Sequence, residues 1–392
     1  VTVNDADGVT PAPSGDHPPG SAPLVGFLEL FYDLVFVAAT MVLSNAFSVR
    51  VSWGWALTCA LMFTMLWLLW FNTTTLMNVE RVDDFSHRAL ILVQMLLITL
   101  TVLAFADKDT SSNDYLGVTY GLALAVVALM HHRAARSNPD CAGWARMRRN
   151  RLLVAAAVAA STTFLPDRAD DVAFLAVILL LIVPAAFGTR RRRPMPPVDT
   201  HHMLERAALL TLIMCGEAFV KVSLVVSSGT IEISDLLAIV VEFVAVFAIF
   251  FMYFDDVPKA GIRPGMARAE LWALAHLPLQ IGIVTVAVGI SKYLQIGDQP
   301  IETKVIVILT FGFVLVYGGL ALVGLLGERT PIGPLTVTRL VTAAVVVAFG
   351  VATWGFGWLT PGGLLLCLAG LAIAHVAVTR WLRTSTSAPA LH

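Results

Sequence analysis

The fold class predicted for this 392-residue chain is all-α: a polytopic helical membrane protein with about twelve transmembrane helices. Three observations predict it, namely composition, the recurrence of apolar stretches, and the placement of the basic residues. The chain is 57% hydrophobic and 14% charged, against about 25% charged in an ordinary soluble domain. A soluble globular enzyme is thereby excluded, as is a disordered chain, which needs low hydrophobicity. Cys59, Cys215 and Cys367 fall in apolar runs and Cys141 in a basic loop, with no CxxC, so neither a disulfide framework nor a thiolate metal site is indicated.

Residues 1–22, rich in Pro, Gly and Asp and without Lys or Arg, lack the basic start and apolar centre of a signal peptide and read as a disordered acidic tail. Apolar runs then recur near 24–47, 53–75, 88–106, 115–132, 151–165, 171–188, 206–228, 235–254, 270–294, 303–326, 335–356 and 362–382. Their lengths approach the ~20 residues that cross a 30 Å hydrocarbon core, the fifth being short. No period-2 pattern is present, so helices must satisfy the backbone within each crossing. Residues 384–392 read as a second disordered tail.

Basic residues accumulate in cytoplasmic loops, which tests count and direction together. Twenty of the 26 Lys and Arg follow even-numbered spans or flank the C-terminus, and five lie on the opposite side. Both termini are therefore expected in the cytoplasm. Lys221 alone lies within a span. The run Arg190–Arg193 sits between apolar flanks and reads as a topology determinant, so no nucleic-acid partner is expected.

The halves 23–193 and 194–383 look alike. WLLWFN precedes the acidic pair Asp83–Asp84 and then HRALILVQM, while FFMYFDD contains Asp255–Asp256 and precedes RAELWALAH. Six spans per half is an even number, so the halves would be parallel repeats of one orientation.

Ionisable groups within spans are candidate functional residues, since inserting one at mid-helix costs ~3 kcal/mol. In GFLELFYDLVFV, Glu29 and Asp33 share a helical face, with Tyr32 beside them; two close carboxyls repel, so one must hold a proton, share a cation or pair with an Arg. Glu217 lies near mid-bilayer with Lys221 one turn on, a substrate or coupling site or else a structural ion pair. His202, Glu205 and Arg206 mark the cytoplasmic entrance of the same span. Glu242, Tyr253 and His276 extend the set in spans eight and nine, and Trp67, Trp70 and Asn72 of span two are candidate lining residues. Trp53, Trp55, Trp354, Trp358 and Trp381 read as interfacial belts.

Asp83 and Asp84, with Glu80 and His87, and Asp255 and Asp256 form two acidic patches at the cytoplasmic rim. Hard carboxylate oxygens suit Mg²⁺ and, through it, a diphosphate. These four aspartates are thus the catalytic and metal-binding candidates of an alternative reading.

The stretches ELFYDLVFV from Glu29, DDFSHRALILVQM from Asp83, HMLERAALLTLIMCGE from His202 and MYFDD from Met252 resemble the bacterial low temperature requirement A (LtrA) family. The resemblance covers most of residues 24–294, with Cys215 and Ala218 departing from the family's usual Leu and Ser. It implies a polytopic inner-membrane protein; the family name describes a growth phenotype and supplies no mechanism.

The expected function is a carrier or binding protein for a small apolar or amphipathic molecule, with the lipid bilayer as its other partner and no certain cofactor. Asp33 and Glu217 would be protonatable centres lining one polar chamber between the halves. Glu29, Lys221 and Glu242 would tune them, and His202 and Arg206 would gate the mouth. The alternative is a membrane-embedded enzyme acting on a lipid or isoprenoid diphosphate, by prenyl transfer or terpene cyclisation, with Mg²⁺ as its cofactor and Trp67, Trp70, Tyr253 and Phe254 facing a reactive cation.

Overall fold

A computed structural model describes residues 26–50, 52–80, 84–107, 115–165, 167–187, 195–227, 233–296, 303–327 and 333–387. The expected tail at 1–22, Asp83, the run Arg190–Arg193 and residues 388–392 lie outside the described residues. Among the described residues the chain is helical, with no strand beyond a single antiparallel bridge between Ile262 and Gly327. The helices are α1 (Phe27–Val49), α2 (Trp53–Val79), α3 (Phe85–Ala106), α4 (Leu116–Ser137), α5 (Ala142–Ser161), α6 (Asp167–Phe187), α7 (Thr200–Ser227), α8 (Ile233–Phe254), the short α9 (Val257–Ala260) and α10 (Met266–Leu274), then α11 (His276–Ile296), α12 (Thr303–Leu326), α13 (Pro334–Phe356) and α14 (Pro361–Ser387).

Among the described residues, nine segments are long and apolar enough to cross a membrane: α1 to α4, α7, the nearly continuous α10–α11, and α12 to α14. The protein is therefore a helical membrane protein. Its lipid-facing stripes are visible in the burial pattern: on α3, Leu92, Leu96, Leu100 and Leu103 face outward while Ile91, Gln94, Met95, Ile98 and Val102 are buried.

Local chemistry sets the boundaries. Ser52 caps α2 by accepting from the Trp55 amide at 3.2 Å, and Asp84 caps α3 by accepting from the His87 amide at 2.6 Å, each satisfying a donor that has no partner within its helix. Pro334 and Pro361 open α13 and α14, where a missing N–H costs nothing. Gly357, with φ 63°, ends α13 in the left-handed conformation. The ninth expected span is two helices that meet at Ala275, because Pro278 has no N–H to offer the Leu274 carbonyl. The fifth begins at Ala142, nine residues before the expected start. Arginine is a good helix former, and Arg148 within those about two and a half turns of extra helix finds buried partners. At the other end α14 continues to Ser387, past the expected start of the tail.

α2 is the central helix. Every residue from Met62 to Asn78 is buried, as expected of a helix that is apolar all round, and it touches α1, α4, α6, α7, α10 and α11. Within 27–187, α1 packs on α2 and α3, α3 on α4, α4 on α5 and α5 on α6, and α2 reaches α4 and α6. The same set of neighbours recurs later: α7 on α8 and α11, α11 on α12, α12 on α13 and α13 on α14, with α8 reaching α12 and α14. The two groups meet along α1, α2 and α6 of the first and α7, α10 and α11 of the second.

Candidate functional site: the α1–α7 seam

α1 and α7 lie side by side and parallel, in a register that stays constant along their length. Glu29 meets His202, Asp33 meets Arg206, Ser44 meets Glu217 and Ser48 meets Lys221, each pair 173 residues apart; Thr40 meets Met214 at 174. The α1 members recur at intervals of four, seven, four and four, which keeps them on one helical face. The seam carries two polar clusters separated by eleven residues, or about 16 Å at 1.5 Å per residue.

The first cluster lies at the N-terminal ends of α1 and α7. Arg206 and Asp33 are fully buried. Arg206 Nη2 donates to Asp33 Oδ1 at 2.7 Å and to Thr74 Oγ1 at 3.3 Å, and its Nη1 stands 3.5 Å from Glu29 Oε2. Trp70 Nε1 donates to the same Asp33 Oδ1 at 2.7 Å. His202 Nε2 lies 3.1 Å from Glu29 Oε2, and its ring is backed by Asn78, which also exchanges two hydrogen bonds with the backbone of Asp199. Tyr32 accepts from Gln94 Nε2 at 2.9 Å, and the same amide donates to Thr73 at 2.7 Å. Glu29 is the most exposed member of this cluster and stands at its mouth. A buried guanidinium between two carboxylates is well compensated, yet Asp33 Oδ2 and Arg206 Nε have no hydrogen-bond partner among protein atoms, leaving polar valence for a further group.

The second cluster differs from the expected Glu217–Lys221 pair, because α1 interposes its own side chains. Lys221 Nζ donates to Asn45 Oδ1 at 2.7 Å, Ser44 Oγ at 3.3 Å and Ser48 Oγ at 3.4 Å, and Ser44 Oγ lies 3.1 Å from Glu217 Oε1. Glu242 of α8 lies within electrostatic reach of Glu217. Asp33 and Glu217 therefore belong to separate clusters three turns apart, and the single shared chamber expected from sequence is replaced by two centres on one seam.

Other predicted residues are distributed around the seam. Trp67 and Trp70 lie in tilted contact, with centroids 4.8 Å apart, beside Phe36, buried in packing between α1 and α2. Asn72 accepts from Arg148 Nη1 at 2.7 Å. Tyr253 Oη and His276 Nε2 are 3.0 Å apart; His276 Nδ1 faces the Trp272 carbonyl at 3.0 Å, which makes Nδ1 the donor and Nε2 the acceptor of the Tyr253 hydroxyl. Glu205 sits 3.4 Å from His201 on the rim.

The rim aspartates do not converge. Asp84 lines a cavity with Glu80, His87 and Arg133, and Asp255 and Asp256 line another with Lys259, Trp272, Arg339 and Arg383; the two cavities share no residue. Asp84 is paired with Arg133 at 2.7 Å, and the His87 amide and that guanidinium hold its carboxyl below the usual range. Asp256 pairs with Arg339 at 2.6 Å and with Arg383, while Asp255 faces Arg383, Arg380 and Lys259 at 3.3, 3.4 and 3.9 Å. Burial pushes the Asp256 carboxyl up against the pull of those two arginines. Four cations around two carboxylates do not fit Mg²⁺, and no group of three or more His, Cys, Asp or Glu able to hold a metal ion occurs among the described residues.

Several contributors lay outside the sequence-based set. Ser44, Asn45, Ser48, Thr74 and Asn78 are ordinary residues of apolar helices, and the signal that could have found the first three is their spacing from Asp33. Arg148, read as a loop cation, is buried; it pairs with Glu270 of α10 and stacks over Phe71 and Trp144 at 5.4 and 5.5 Å.

A bundle of apolar helices whose charged side chains are gathered and neutralised inside it defines an integral membrane protein with an internal polar site. Residues 24–379 match the bacterial low temperature requirement A protein (LtrA) family, nearly the whole chain, and the protein belongs to that family. No curated protein matches the chain.

Proposed function

We propose that the protein is a carrier or binding protein for a small apolar or amphipathic molecule, built as two parallel six-helix repeats that meet at the α1–α7 seam. The observation that carries this reading is the seam itself: two buried charged clusters lie where the two groups of helices touch, a costly arrangement for a purely structural contact. Asp33 and Glu217 act as protonatable centres, Glu29, Lys221 and Glu242 tune them, and His202 and Arg206, with Glu205 beside them, gate the cytoplasmic mouth. Tyr32, Trp67, Trp70, Asn72, Tyr253 and His276 shape the walls.

The recurring neighbour pattern supports the repeat. So do matching side chains: Gln94 of α3 bonds Tyr32 of α1 and Thr73 of α2, while Gln280 of α11 bonds Thr211 of α7 at 2.7 Å. Arg148, early in α5, reaches Asn72 of α2, and Arg339, early in α13, reaches the Met252 carbonyl of α8 at 3.5 Å. Twelve crossings, with both termini on the cytoplasmic side of the inner membrane, follow from the asymmetry of the basic residues. The alternative enzyme role is disfavoured by the arginines that occupy the rim aspartates.

The test is proteoliposomes under an imposed pH gradient, offered a set of radiolabelled small amphiphiles. Accumulation of one of them by the native protein, lost in Asp33→Asn and retained in Asp255→Asn, is the expected result. Product formed in detergent from a labelled prenyl diphosphate, and abolished by EDTA, would replace the carrier with the enzyme.

A further inference from the structure

The second cluster on the seam has an open valence of one sign. Lys221 has three N–H bonds and three acceptors, Ser44, Asn45 and Ser48, so its ammonium is complete. The carboxyls are not: among the described residues Glu217 Oε2 and Glu242 Oε1 have no donor, although both residues are at least 97% buried. Glu217 faces the Lys221 ammonium, and the charge that acts on Glu242 is that of Glu217. Of the other elements against α7, α1 presents only neutral side chains at this level, and α11 contributes Lys292, whose charge acts on Lys221. An incoming group must therefore donate hydrogen bonds.

Immediately beyond Ser44 lies an apolar cavity of about 270 Å³ between α1, α2, α11 and α12, with Phe47, Cys59, Ala60, Phe63 and Phe311 among its walls. Ser44 lines this cavity and contacts Glu217 Oε1 at 3.1 Å, so a single hydroxyl stands between the greasy compartment and Glu217, with Glu242 beyond it within electrostatic reach. The cavity walls Trp53, Leu57 and Phe311 are exposed, so the cavity opens on the outer face of the bundle, and its size suits a small organic body.

Resting on the carrier role above, we propose that this is a binding site for a protonated primary amine with a compact apolar body. The ammonium sits against Ser44 and the Glu217–Glu242 pair, and the apolar body fills the cavity. Between ligands, the pair retains a proton in place of the missing cation. Binding of R–NH₃⁺ expels that proton, so the buried charge is the same before and after exchange, and no other bond is made or broken.

The probes are a tritiated nine-carbon alkylamine, with nonanoic acid and nonanol as competitors, on the full chain in a non-ionic detergent. Saturable amine binding is expected, with release of up to one proton per amine in weakly buffered solution and no competition by nonanoate. Glu217→Gln and Glu242→Gln should each weaken binding at least tenfold. Ala60→Phe, which fills the cavity and leaves both carboxyls in place, should do the same and decides the matter if the glutamine variants do not fold. Competition by nonanoate as strong as by unlabelled amine, or native binding by Ala60→Phe, overturns the assignment. Amine binding without proton-driven uptake keeps this site and removes the carrier role; uptake of another amphiphile without amine binding does the reverse.

Discussion

Arg206 is the side chain on which the N-terminal end of the seam depends, since among the described residues it alone touches both acids of α1. Breaking a buried pair by removing one partner leaves an uncompensated charge and costs ~3–5 kcal/mol. Arg206→Met should therefore lower the unfolding temperature in detergent sharply, while Arg206→Met combined with Asp33→Asn recovers part of the loss; a double variant no better than the single one would mean that Asp33 has another counter-charge. Asp84 gives the opposite case, an exposed carboxylate. Its folded pKa lies below the ordinary 3.8, so its contribution is present above that value and is lost as pH falls through the folded one. Asp84→Asn should narrow the gap in stability between pH 5 and pH 3, measured by chemical denaturation, with its loss fully present at pH 5 to 7 and smallest at pH 3. The acids of α1 and α7 were legible in the sequence because a charge in an apolar run stands out. Ser44, Asn45 and Ser48 were not, because small polar residues are common in membrane helices and gain meaning only from what lies opposite.

Helix positions were legible for a similar reason: apolar length and terminal Pro, Ser, Asp and Gly mark where a helix can start and stop. How closely two helices approach was not. α11 and α12 pack backbone against backbone, and a Cβ built on Gly319 would stand 2.6 Å from the Leu279 nitrogen, whereas one on the adjacent Gly318 would meet nothing within 4 Å. Gly319→Ala should therefore cost about 1–3 kcal/mol through overpacking, and Gly318→Ala should be neutral or stabilising, as expected from helix propensity alone. Comparing the two variants by thermal unfolding separates helix contact from propensity; equal effects would show that the interface yields.

For the whole molecule, the contact between the two helical groups rests on more than the seam. Arg148 of α5 and Glu270 of α10 form a buried pair across that boundary, with Asn72 of α2 as a third member. Arg148→Met and Glu270→Gln should each destabilise by ~3–5 kcal/mol, and the double variant by less than their sum; additive losses would mean that the two side chains act independently. Orientation is a property of the same scale. With the native cysteines replaced, a cysteine introduced at Arg136 should be shielded from an impermeant thiol reagent in intact cells and one at Trp53 should react, the reverse pattern inverting the proposed topology.

By itself the sequence determined that this chain is an apolar helical bundle of the LtrA family and which acids lie where hydrocarbon would otherwise be, because composition, run length and an out-of-place charge are local properties. Only the tertiary structure decided their partners. Asp33 belongs to Arg206 rather than to Glu217, Lys221 is held by α1 rather than by the glutamate one turn before it, and Arg148 is a buried tie rather than a surface cation. Each of these depends on a helix register and a packing choice between residues more than a hundred positions apart, or between helices of different halves, and no local pattern encodes that choice.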